Sequence, residues 1–351
     1  MNYWMSLLAK GVQHIQYNSE SIMKILKNSP IHLPGISIRR CIAVLCSIFI
    51  SVFTAYAQKI TFTPQWTPQS QFAGYYAALE NGYYAEAGLD VEIVHPTKSY
   101  SSINMLLDGS SHIITSELIQ AMVASERSIK LVNLLQTTQH STLMLLARKE
   151  NIKNLSQLSG CRIGTWKVGF NEVPNMIDKE QDLDIEWIKF INPVNLYISG
   201  AIDATLVKSY NEQILFHMSG ITPGSLFNFS ELGYDYPEDG LYVSENFYKE
   251  NPEACRKFAE ASRKGWEWVR NNREKALEVV MKYIKAENVP TNIYNQKWML
   301  NTILKAQEDI AGGAPSYKLD KDAVNSINRT LIRHGYISKP VEYFEFTGGK
   351  L

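Results

Sequence analysis

Short apolar β-like runs alternate with amphipathic helical patterns from residue 58 onward, and that alternation restricts the chain to layered α/β architectures. Residues 59–63 read as a first strand. The segment 64–72 carries Pro64 and Pro68 and has no helical periodicity, so it is a loop leaving the carboxyl end of that strand. A short helix over 73–81 stops at Gly82, a strand spans 89–94, and a helix over 102–107 sets Ile103, Leu106 and Leu107 at helical spacing. A strand over 112–115 follows, with Ser116 as cap of a helix running to about residue 125.

The same units recur after Arg148: strands over 161–165, 185–190 and 203–208, with helices over 172–179 and 196–199. From Asn251 the pattern becomes helical, with Asn251 as cap, Pro252 in the first turn, and Phe258, Ala261, Gly265 and Trp268 as an inward stripe. Two α/β lobes and a helical C-terminal segment are therefore expected. Lobe 1 occupies 58–147, lobe 2 occupies 148–240, and 241–351 returns to lobe 1 and adds the C-terminal helices.

Residues 1–57 stand outside that fold. Arg39 and Arg40 precede an apolar run over 41–53, and Ala55-Tyr56-Ala57 supplies the small-x-small pattern of a signal-peptide cleavage site. Cleavage is expected before Gln58, releasing the protein into the periplasm or an equivalent exported space. The run is short for a bilayer span. Met23 offers a second start, which would leave residues 1–22 untranslated.

The 35 basic and 35 acidic side chains cancel, which removes the positive field a nucleic-acid partner needs. Beyond residue 57 only Cys161 and Cys255 remain, too few for a metal cluster, and free thiols are expected. His112, His140 and His217 have no carboxylate or cysteine at metal spacing and read as structural or exposed. Neither a phosphate-cradling glycine loop nor a nucleophile elbow is present. No metal and no cofactor are expected.

Several ordered segments carry a family resemblance. They are Gln65-Trp66-Thr67-Pro68 with Gln71-Phe72-Ala73-Gly74-Tyr75-Tyr76, Glu80-Asn81-Gly82-Tyr83-Tyr84, and Glu86-Ala87-Gly88-Leu89-Asp90-Val91. Leu106-Leu107-Asp108-Gly109, the stretch from Leu155 to Gly164, and Ser199-Gly200-Ala201-Ile202-Asp203-Ala204 follow in order. Over about residues 58 to 270 the chain resembles the solute-binding proteins of ABC importers for thiamine-pyrimidine precursors, sulfonates and nitrate, and the related thiamine pyrimidine synthases. The resemblance implies a type II periplasmic-binding-protein fold, two α/β lobes on a hinge that close on a small molecule. It also implies an ABC permease in the inner membrane as partner. A monomer is expected.

Such folds bind ligands at the carboxyl ends of strands. Trp66 and Tyr75 offer aromatic surface to a flat ligand, and Gln71 shares their loop. Ser116 and Glu117 open a first-lobe helix, while Trp166, Gly169 and Asn171 follow a second-lobe strand where helix amides could receive a polar group. Tyr210, Asn211 and Glu212 follow the 203–208 strand, and Glu212 matches the glutamate that pyrimidine-binding members place after an aromatic. Its carboxylate suits an exocyclic amine or a protonated ring nitrogen; the plainer role is a helix first-turn charge.

The expected function is a binding protein for a small nitrogen heterocycle, most simply a thiamine-pyrimidine precursor. One alternative is a thiamine pyrimidine synthase, whose family needs a pyridoxal-phosphate lysine and a histidine where this chain reads Ser116-Glu117-Leu118-Ile119-Gln120. A binder of a sulfonate- or nitrate-like anion and a ligand-presenting partner of a sensory receptor are the others.

Overall fold

A computed structural model describes residues 58–97, 100–150, 152–167, 171–190 and 193–349. The expected signal segment and Gly169 lie outside the described residues. Two five-stranded sheets organise the described chain, each flanked by helices.

The first sheet has the order β2 (Leu89–Ile93), β1 (Gln58–Thr63), β3 (Ile113–Glu117), β10 (Asp239–Ser244), β4 (Leu131–Gln136). β1 runs parallel to β2 and β3, and β10 runs antiparallel to β3 and β4. The second sheet repeats the plan as β7 (Glu186–Phe190), β6 (Arg162–Trp166), β8 (Ala204–Lys208), β5 (Leu143–Ala147), β9 (Ser225–Asn228). β6 is parallel to β7 and β8, and β5 is antiparallel to β8 and β9. Central strands such as β5 and β8 are buried along their whole length, as sheets covered on both faces require.

The chain passes between sheets twice, through the segments after β4 and after β9. β5 belongs to the second sheet, so the first crossing falls between Gln136 and Leu143 and not after Ala147. β10 opens at Asp239 in the first sheet, one residue before the expected boundary at 240. The crossing segments are tied together: His140 Nδ1 lies 2.7 Å from Asp235 Oδ2, and Ser141 donates its N–H to Asp235 Oδ1 at 2.7 Å.

Two helix readings change. Ser116 is the buried fourth residue of β3, and the helix Leu118–Arg127 starts after Glu117 with no side-chain cap. In the helix Pro252–Asn271 the fully buried tryptophan is Trp266, 1% exposed, while Trp268 packs against the same core only partly buried. That helix lies against Ala73–Glu80 so closely that a Cβ on Gly265 would stand 2.0 Å from the Gly74 carbonyl oxygen. Glycine is required there by contact with backbone, not by turn geometry.

Candidate functional site

The carboxyl ends of β1, β3, β6 and β8 meet the start of β10 where the two sheets face each other. At that seam Lys208, the last residue of β8, is buried with Nζ 2.6 Å from Glu117 Oε1 and 2.9 Å from Glu238 Oε1. Glu238 also accepts from Ser141 Oγ (2.9 Å), Thr142 N (2.8 Å) and Thr142 Oγ1 (2.5 Å). Two carboxyl groups, Glu238 buried and Glu117 partly buried, thus face one ammonium. Burial pushes the Glu117 carboxyl up to about 8, against the opposing pull of Lys208 and with added repulsion from Glu238.

Lys208 borders two openings. One is lined by Gln65, Trp66, Gln69, Gln71, Trp166, Lys208, Tyr210, Asn211 and Glu212, and holds about 320 Å³, solvent at its mouth included. The other is lined by Glu117, Glu172, Tyr234, Tyr236 and Glu238 among others.

The first opening brings together residues from both sheets. Glu212, at the start of the helix Glu212–Met218, is buried; Oε1 accepts the Trp166 indole N–H at 3.0 Å and Oε2 accepts the Lys208 backbone N–H at 3.0 Å. Burial raises its pKa, while the Lys208 backbone and Trp166 hydrogen bonds pull the other way. Opposite stands the loop after β1, anchored by Gln65 N–H on Thr115 Oγ1 (2.8 Å) and Ser70 N–H on Gln296 Oε1 (2.7 Å). Trp66 is 42% exposed at this mouth. Its carbonyl accepts from His95 Nδ1 at 2.5 Å, and His95 Nε2 meets the Tyr76 hydroxyl at 2.9 Å. Burial pushes His95 down to about 4, so the neutral ring donates at Nδ1 and accepts at Nε2.

Beneath the loop, Asp239 is buried and accepts from Gln65 Nε2 (2.8 Å) and Gln71 Nε2 (2.6 Å). Burial, with repulsion from Glu238, lifts its pKa to about 6 against the Gln71 and Gln65 hydrogen bonds.

Of the residues singled out in the sequence, Trp66, Gln71, Trp166, Tyr210, Asn211 and Glu212 line this opening, and Glu117 lines the second. Asn171 sits behind Trp166, hydrogen-bonded to the Thr165 hydroxyl and, at 3.5 Å, to the Trp166 carbonyl. Two expectations fail. Tyr75 is 1% exposed and packs its ring against Phe62 and Trp266 in the first-sheet core, and Ser116 is inside β3. The sequence does not single out Lys208, Glu238 or Asp239, and it marks Gln65 and Gln69 only as part of the loop that carries Trp66 and Gln71. A lysine closing the apolar strand Ala204–Lys208 was the visible signal for the first, and Gln65 and Gln69 stand beside Trp66.

Among the described residues, no helix is long and apolar enough to cross a membrane. The formylaminopyrimidine-binding protein of Halalkalibacterium halodurans is 25% identical over 287 residues, covering 79% of this chain and 85% of the relative. The 4-amino-5-hydroxymethyl-2-methylpyrimidine phosphate synthase THI13 of Saccharomyces cerevisiae is 23% identical over 228 residues, 60% of this chain and 67% of the relative. Among solved structures, the periplasmic aliphatic sulphonate binding protein SsuA of Escherichia coli superposes with a TM-score of 0.60 at 13% identity, covering 82% of this chain and 97% of that one. This likeness carries the fold, two α/β lobes of the periplasmic-binding-protein type. The NMT1/THI5-like family model matches residues 69–276, which include Gln71, Trp166, Lys208, Glu212 and Asp239, and the chain belongs to that family.

Proposed function

We propose that this protein is the substrate-binding component of an ABC-type importer and captures a small aminopyrimidine, a precursor of the thiamine pyrimidine, between its two sheets. The observation that carries this reading is the Glu212 carboxyl, buried beside the opening with both oxygens fixed by Trp166 and the Lys208 backbone. A desolvated carboxyl whose pKa is raised shares a proton readily, so it matches an edge that offers an exocyclic amine beside a ring nitrogen. The half-exposed ring of Trp66 supplies stacking surface at the mouth.

Binding without bond chemistry is the favoured mode. The helix Leu118–Arg127 contains neither lysine nor histidine, the two groups the synthases' family pattern requires there. Export by the segment ending at Ala57, and an inner-membrane permease as partner, belong to the same proposal.

A thermal-shift panel tests it. Formylaminopyrimidine and 4-amino-5-hydroxymethyl-2-methylpyrimidine are expected to raise the midpoint, whereas methanesulfonate and nitrate are not. A shift with the anions alone would replace this reading by an anion importer.

A further inference from the structure

We propose that Asp239 is a positioning residue for recognition: it fixes Gln65 so that the glutamine's side-chain oxygen, Oε1, is presented to an N–H group of the ligand. The proposal rests on reading the opening beside Glu212 as the ligand cleft.

The orientation of each glutamine amide follows from its neighbours. A carboxylate only accepts, so the Gln65 and Gln71 atoms that stand 2.8 and 2.6 Å from the two Asp239 oxygens are their Nε2 donors. Turning either amide over would set oxygen against oxygen. Gln71 Oε1 is then occupied, accepting from Gln69 Nε2 at 2.5 Å. Gln65 Oε1 is different: it is buried from solvent and accepts no hydrogen bond from any described residue. An orphaned buried acceptor costs stability, and Gln65 lines the opening. A ligand N–H relieves that cost when it binds.

The cleft would thereby hold acceptors on both walls, Glu212 on the second-sheet side and Gln65 on the first. That arrangement selects a heterocycle with N–H donors at two edges and disfavours an acceptor-only anion such as a sulfonate. Asp239 contributes without touching the ligand. In Asp239→Asn one of the two glutamines loses its acceptor; Gln71 is tied to Gln69, so Gln65 is the one free to turn and offer Nε2 instead.

Calorimetric titration of the purified protein, with Gln65→Met, Asp239→Asn and the double variant, tests this. The probes are formylaminopyrimidine, riboflavin as a second N–H donor, and methanesulfonate. Both single variants are expected to bind formylaminopyrimidine about tenfold more weakly, the worth of one hydrogen bond. The double variant is expected to lose no more than either single, because Asp239 acts through Gln65. Asp239→Asn is expected to gain, not lose, affinity for methanesulfonate. Unligated thermal midpoints show that each variant is folded, and if Asp239→Asn does not fold, Gln65→Met still decides. Formylaminopyrimidine binding that is unchanged in Gln65→Met overturns this inference alone. Riboflavin binding that Gln65→Met weakens, with no pyrimidine binding, upholds it and overturns the pyrimidine reading. Binding of methanesulfonate alone, or of no probe, overturns both.

Discussion

Lys208 Nζ stands 2.6 Å from Glu117 Oε1, and this contact joins the end of a second-sheet strand to the end of a first-sheet strand in the interior of the protein. One ammonium therefore faces two carboxyl groups, since Glu238 Oε1 is 2.9 Å from the same nitrogen. Burial of Glu117 makes this contact pH-dependent. Burial raises Glu117 from 4.5 to about 8, so between those values the folded state holds a proton that the unfolded state releases. Stability from this group accordingly falls as pH rises through that window. Urea unfolding at pH 5 and pH 8 is expected to show a loss that Glu117→Gln reduces; equal losses in the two proteins would contradict the assignment.

Removing the ammonium leaves the carboxylates unbalanced. Lys208→Met is expected to cost about 3–5 kcal/mol at pH 8, the scale for breaking a buried pair from one side. Adding Glu117→Gln to it is expected to return part of that loss, because one of the two carboxyl groups facing the missing ammonium is then replaced by a neutral amide. Additive losses in denaturant unfolding would argue against a shared cluster.

Glu212→Gln keeps the shape of the side chain and removes its charge. A hydrogen bond to a charged group contributes about 1.5–3 kcal/mol, so affinity for an aminopyrimidine is expected to fall roughly ten- to a hundredfold. Trp166→Phe retains the ring but deletes the donor to Oε1. It is expected to lose less than Glu212→Gln in the same titration, since Lys208 N still holds Oε2.

The helix pair Ala73–Glu80 and Pro252–Asn271 packs through Gly74 and Gly265. A Cβ at Gly74 would fall 2.2 Å from the Trp266 ring, and one at Gly265 would meet the Gly74 carbonyl oxygen. Gly265→Ala is expected to destabilise by at least about 1–3 kcal/mol through overpacking, lowering the thermal midpoint. A midpoint equal to wild type would show that the helices separate freely.

Much of this organisation is legible from residue order. β1 and the helix Ser102–Leu107 follow directly from their runs, and Pro252 marks the start of the long helix. The crossings are less legible because β5, Leu-Met-Leu-Leu-Ala, reads the same in either sheet; its antiparallel pairing with β8 and β9 assigns it. Trp266 and Trp268 are two residues apart on one helix and both pack on the core, and contact with Tyr75 makes Trp266 the fully buried one. At the site, Trp66, Trp166 and Glu212 are legible because each stands at or shortly after the carboxyl end of a strand. Asp239 and Gln65 are 174 positions apart, and no local pattern reports a hydrogen bond of that range.

Calorimetric titration of the wild-type protein with formylaminopyrimidine at pH 7, paired with methanesulfonate, addresses the central claim most directly. One saturable site for the pyrimidine and no heat with the sulfonate is the predicted result. Saturation by methanesulfonate, with none by the pyrimidine, would contradict it.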